Sequence, residues 1–238
     1  MSKEKTIRAI GLVACEMFAV ITIIMLFVNK QYDRLLLAFA TPFIILAPKL
    51  IELLFKCKIA LPVYLIGLFY AIGPMLGQCH NLYYTVSWWD KMLHILGGVM
   101  FAFFGLFLFE KYVCKDRKKA VMTAIFALCF SMAISVLWEF CEYSADTFLG
   151  MDMQDDVVVN HINSYLLDDG VGVAGSIDNI NEVIVNGERL PVDGYIDIGL
   201  NDTMMDMLLE TLGAVVVAGV YITSRGKFAI FELKEKIA

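Results

Sequence analysis

The sequence predicts an all-α, polytopic transmembrane bundle of six helices carrying a small extracellular insertion, and three observations carry that prediction. Apolar residues make up 59% of the 238 positions and charged residues only 18%, too little polar surface to cover a water-soluble globule. Six apolar stretches are each long enough to span a bilayer, whose core of about 30 Å takes roughly twenty residues at about 1.5 Å each. Lys and Arg collect in alternate connections, the asymmetry that orients membrane helices.

The first span, residues 9–28, follows a basic lead of Lys3, Lys5 and Arg8 and has no small-residue cleavage site, so it reads as an uncleaved helix. The second, 35–55, contains Pro42 and Pro48 and is expected to kink there, while Lys49 can snorkel to the interface. The remaining spans are 59–78, 91–109, 120–138 and 203–223. An inside N-terminus places Lys56, Lys58, Lys111, Lys115, Arg117, Lys118, Lys119, Arg225, Lys227, Lys234 and Lys236 in the cytoplasm with the basic lead. Lys30, Arg34 and Arg189 fall outside. The expectation is one membrane domain, 1–238, in the cell membrane with both termini cytoplasmic. Residues 144–201 are acidic and rich in Gly and Asn, and form an extracellular loop or cap between the last two spans. Within it, Asn186-Gly187 between β-prone flanks is a hairpin signal.

Charge and cysteine usage narrow the function. A net charge of -6 argues against a nucleic-acid partner, since phosphate backbones are held by clustered Lys and Arg. Cys15, Cys57, Cys79, Cys114, Cys129 and Cys141 form no CxxC pair and no disulfide framework.

Charged side chains inside apolar spans cost about 2.5 kcal/mol or far more, so they default to functional hypotheses. Asp90 and His94 share one face of the fourth span. Glu139, Glu142 and Asp146 follow an i, i+3, i+7 pattern at the end of the fifth, and Asp202, Asp206 and Glu210 repeat every four residues in the sixth. The topology puts all three groups at the outer end. Carboxylates and an imidazole gathered at low dielectric need protonation or a cation, and mixed O and N donors suit Zn, Mn or another divalent ion. Single polar residues in spans also serve simply as hydrogen-bond glue between helices. Trp88, Trp89 and Trp138 fit an interfacial aromatic belt, Glu16 a packing or proton-sharing role, and Lys49 and Glu52 the inner interface. His80 and His161 are expected to be solvated loop residues, and Gly97, Gly98 and Gly213 to permit close helix contact.

The segments WDKMLH, WEFCEYSADTFLGMDMQ and NDTMMDMLLETLGA resemble the VanZ-like and YjdF-like bacterial membrane proteins over residues 88–219. The resemblance implies a membrane fold with a shared polar site, and singles out Asp90, His94, Glu139, Glu142, Gln154, Asp202, Asp206 and Gly213. Glu210 stands where VanZ-like proteins commonly carry Asn, and the long insertion also departs from that pattern, so the YjdF-like branch fits better. Some VanZ-like members are associated with glycopeptide resistance, and neither branch implies a particular reaction.

Three functions remain open on the sequence. In the first, Asp90, His94, Asp206 and Glu210 bind a divalent metal, and Glu139 or Glu142 acts as general base on a lipid-linked or cell-envelope substrate. Asp146, Gln154 and Asp202 are further candidates for that site. The second is a proton- or cation-coupled transporter, and the third a non-catalytic envelope factor whose polar cluster is structural. Membrane lipids are partners in every case.

Overall fold

The computed structural model describes residues 3–113, 119–224 and 231–233. Cys114, Lys115, Arg117, Lys118, Arg225, Lys227, Lys234 and Lys236 lie outside the described residues. The helices are α1 Lys3–Val28, α2 Leu35–Ile45, α3 Ala47–Leu54, α4 Leu61–Cys79, α5 Leu82–Thr85, α6 Trp89–Tyr112, α7 Ala120–Leu149 and α8 Leu200–Thr223. Short strands are β1 Cys57–Ile59, β2 Val158–Val159, β3 Ile162–Ser164, β4 Gly175–Ile177, β5 Ile184–Val185, β6 Glu188–Arg189, β7 Tyr195–Ile196 and β8 Phe231–Leu233. Among the described residues, six segments are long and apolar enough to cross a membrane, α2 and α3 counting together with the turn before them as one. The chain is therefore a helical membrane protein of six candidate spans, as its composition requires.

Two compact units divide the chain: Met1–Ser135 with Leu209–Ala238, and Val136–Leu208. In the first, α1, α2 and α4 meet through Ala19, Leu26, Ala38, Ile45, Leu68 and Met75. A second cluster joins α6, α7 and α8 through Ala102, Ala124, Ala127, Ala214 and Ala218, small residues that let helix backbones approach where lipid supplies no hydrophobic push. The opposite faces carry Val28, Leu36 and Phe43, each more than 70% exposed, an arrangement stable when hydrocarbon rather than water covers them.

Local chemistry explains most helix limits. Pro42 and Pro48 have no N–H to offer the carbonyls of Ala38 and Ile44, and the second span breaks between them, α2 ending at Ile45 and α3 starting at Ala47. The fifth span runs eleven residues past its expected end at Trp138, because no Gly or Pro interrupts it before Gly150, whose φ of +62° stops it. An antiparallel pairing of β1 with β8 gave no signal in the sequence. His80 corrects its expected solvation: it closes α4 with a ring nitrogen 2.9 Å from Thr22 Oγ1 and stacks on Phe18.

The second unit holds three antiparallel pairs, β2 with β7, β3 with β4 and β5 with β6. Asn186 and Gly187 form the hairpin turn with φ of +54° and +87°, the two positive values that match strand twist. His161 is exposed, as expected of a loop residue, and pairs with Asp178.

Asp197 sets the start of α8. Partial burial alone would raise its pKa, but donation from the N–H groups of Val157 at 3.0 Å and Asn201 at 2.9 Å, from the Asn201 amide and from Gly199 outweighs it and holds the carboxyl below its ordinary value. A depressed carboxyl stabilises the fold above its unfolded pKa of about 3.9 and loses that contribution as pH falls through the lower folded value. Amide exchange at Val157 and Asn201 is expected to accelerate below about pH 4, and Asp197→Asn to remove that acid dependence. Acid-independent protection in the unsubstituted protein would contradict the assignment.

Candidate functional site

The site is built where α4, α6 and α8 meet in the first unit. Trp89 opens α6, buried, with its indole N–H donating to the Gly73 carbonyl of α4 at 3.2 Å. Anchoring, rather than the expected belt role, is its task; Trp88 beside it is exposed. Asp90 in the first turn of α6 sits where the helix dipole favours an anion, and Lys91 pairs with it at 3.0 Å. One turn on, His94 Nε2 lies 3.4 Å from Asp90 Oδ1.

Glycines bring α8 against α6. A Cβ on Gly98 would fall 1.9 Å from the Glu210 carbonyl oxygen, and one on Gly213 would fall 2.3 Å from that of Ile95. Each helix thus presents bare backbone to the other, and Ser131 Oγ of α7 donates to the Gly98 carbonyl at 3.1 Å. This approach sets Glu210 Oε1 3.6 Å from His94 Nδ1. The imidazole therefore has one carboxylate off each ring nitrogen. Glu210 is 3% exposed, and its Oε2 has no hydrogen-bond partner among the described residues. Tyr70 of α4 completes the pocket: its hydroxyl and Glu210 Oε1 each lie 3.0 Å from where a Gly97 Cβ would be.

The 3.4 Å between His94 Nε2 and Asp90 Oδ1 is long for a good N–H···O bond, which peaks near 2.9–3.0 Å. It matches the separation, about 3.4 Å, of two donors each about 2.1 Å from one tetrahedrally coordinated ion. Asp90 and His94 thus offer one carboxylate oxygen and one imidazole nitrogen of metal-ligand type.

In the second unit, Glu139, Glu142, Asp202 and Asp206 are all buried. Trp138, expected in a belt and partly exposed, donates its indole N–H to Glu142 Oε1 at 2.8 Å. Asp146 accepts the N–H groups of Met153 at 2.7 Å and Gln154 at 2.9 Å. Asp202 accepts that of Asp155 at 3.1 Å, and Gln154 donates to Thr203 Oγ1. Asp146, Gln154 and Asp202 thus fasten the chain leaving α7 to the first turn of α8.

Two residues of the site escaped the sequence reading. Lys91 stands inside the WDKMLH segment and opens the fourth span as its apolar run delimits it, yet its ammonium pairs with Asp90. Tyr70 has no local signal, since only helix packing brings α4 to Glu210.

A family model described as "Predicted membrane protein (DUF2238)" matches residues 10–227. No curated protein and no solved structure matches the chain.

Proposed function

The chain belongs to this membrane-protein family, and from that premise we propose that Asp90 and His94 hold a divalent cation at the outer end of a multi-pass cell-membrane protein. The observation that carries this reading is the 3.4 Å separation of His94 Nε2 and Asp90 Oδ1. Glu210 faces the other ring nitrogen, and one imidazole cannot turn both nitrogens to one ion. In this reading Glu210 moves from ligand to orienting group, fixing the tautomer that leaves Nε2 to the metal.

A bound divalent ion would activate water or polarise a substrate oxygen. The substrate class that suits a membrane-embedded site is a lipid or lipid-linked envelope component. Glu139 and Glu142 are the two candidate general bases, and Glu142 also receives the Trp138 indole N–H. Cytoplasmic termini rest on the distribution of Lys and Arg. A Cys introduced at Asn179 should react with an impermeant reagent on intact cells and one at Lys118 should not; the reverse pattern would invert the topology. The finer kinship with VanZ-like and YjdF-like proteins rests on the three segments quoted above.

One observation favours a second reading. Lys91 Nζ sits 3.0 Å from Asp90 Oδ2, so a cation of the chain itself offsets the carboxylate, as a structural polar cluster in a non-catalytic envelope factor would need. Elemental analysis separates the two. The purified protein should carry zinc or manganese in stoichiometric amount and lose it in His94→Ala, with Glu210→Gln weakening binding by about 10–100-fold. Failure to take up either metal would overturn the metal reading and leave the Lys91-balanced cluster.

A further inference from the structure

Away from that site, the start of α1, the end of α3, β1 and the start of α4 form a basic corner. Lys3, Lys5, Arg8, Lys49, Lys56 and Lys58 belong to these elements, as do Glu4 and Glu52, and Glu232 of β8 lies opposite Lys58 in the strand register. Arg8 is committed to the fold: it pairs with Glu52 at 2.8 Å and Glu4 at 2.9 Å, donates to the Ile59 carbonyl and lies over the Tyr64 ring. Glu4 is shared between Arg8 and Lys58, the latter at 2.8 Å, so its charge is already matched. Lys58 spends one of an ammonium's three N–H groups on that bond. Lys3 is exposed at the rim.

Between these groups lies a cavity of about 480 Å³, with Lys3, Lys58 and Glu4 on its polar side and Ile7, Ile59 and Leu61 on its apolar side. That volume falls in the range of small-molecule sites. Two ammonium groups from separate elements, over a carboxylate already neutralised, suit an anion with several oxygens. The neighbouring surfaces of α1 and α3 expose Ile10, Leu53 and Leu54, apolar side chains next to the charged mouth. Charge at the end of spanning helices with apolar surface beside it is the setting of a lipid headgroup.

We infer that this corner binds the phosphate of an anionic phospholipid, with Lys3 and Lys58 on the headgroup and the acyl chains along α1 and α3. The inference is independent of the metal reading.

The test uses the full chain in mild detergent, with phosphatidylglycerol, phosphatidylcholine and inorganic phosphate as probes, read by native mass spectrometry and thermal shift. Phosphatidylglycerol should bind at least about tenfold more tightly than phosphatidylcholine. Lys3→Gln, at an exposed position without consequence for folding, should weaken it about fivefold, and Lys3→Gln with Lys58→Gln more than tenfold. Lys30→Gln, exposed on a different connection, should leave it unchanged. Equal retention of the two lipids, or an equal loss in Lys30→Gln, would overturn the site. Saturation by millimolar inorganic phosphate with the same Lys3 and Lys58 dependence, and no preference between lipids, would assign the phosphate to a soluble source and overturn the lipid assignment.

Discussion

Gly98→Ala is expected to destabilise the protein severely, because the added carbon would meet the Glu210 carbonyl oxygen at 1.9 Å. A flexible side chain could swing away from such a contact, whereas a helix backbone can yield only by moving the whole of α8. Overpacking of a tight interior typically costs about 1–3 kcal/mol, and a backbone collision belongs at the upper end or beyond it. At about 2–4 °C per kcal/mol for a chain of this size, the melting temperature in detergent should drop by several degrees or more. The shift of α8 would also carry Glu210 away from His94, so metal uptake at the proposed centre should fall in parallel. Gly219→Ala on the same helix is the control, since among the described residues no atom of another element lies within 4 Å of its added carbon. Equal melting of the two variants would show that α6 and α8 do not touch through Gly98.

The second large effect is expected at Arg8. Its guanidinium serves the buried Glu52 at 2.8 Å, and Glu52 also accepts the Ile59 N–H at 3.0 Å. Arg8→Ala would strand that carboxylate with Lys49, 3.8 Å away and half exposed, as its remaining cation. Removing one partner of a buried ion pair typically costs about 3–5 kcal/mol, whereas replacing both with apolar groups of similar size is often neutral. Arg8→Ala should therefore shorten the thermal half-life in detergent strongly, and Arg8→Met combined with Glu52→Met should recover much of the loss. A double variant no more stable than Arg8→Ala would mean that the pair itself, rather than the stranded charge, holds this corner together. The half-life is the appropriate readout because membrane proteins commonly unfold irreversibly.

What could be read in the sequence is what residues decide over short distances. Six spans follow from the run length of apolar residues, the break in the second from the missing N–H groups of Pro42 and Pro48, and the hairpin from the positive φ that Asn186 and Gly187 tolerate. The pairing of Asp90 with His94 is equally local, since residues four apart share a helix face whatever surrounds them. Gly98 and Gly213 were legible as contact points because a residue without a side chain in a spanning helix implies close approach.

The tertiary structure alone decided which groups answer one another across helices. Arg8 and Glu52 are 44 residues apart, and each by itself looked like an ordinary interface charge. Tyr70 gained its place only when the Gly98 contact brought Glu210 over α6, and the same docking decided that Glu210 faces His94 Nδ1 while Asp90 faces Nε2. Helical periodicity fixes the face a residue occupies but not the rotation and depth at which two helices meet. Those are set by the sum of many small contacts along α4, α6 and α8, which no local window of sequence contains.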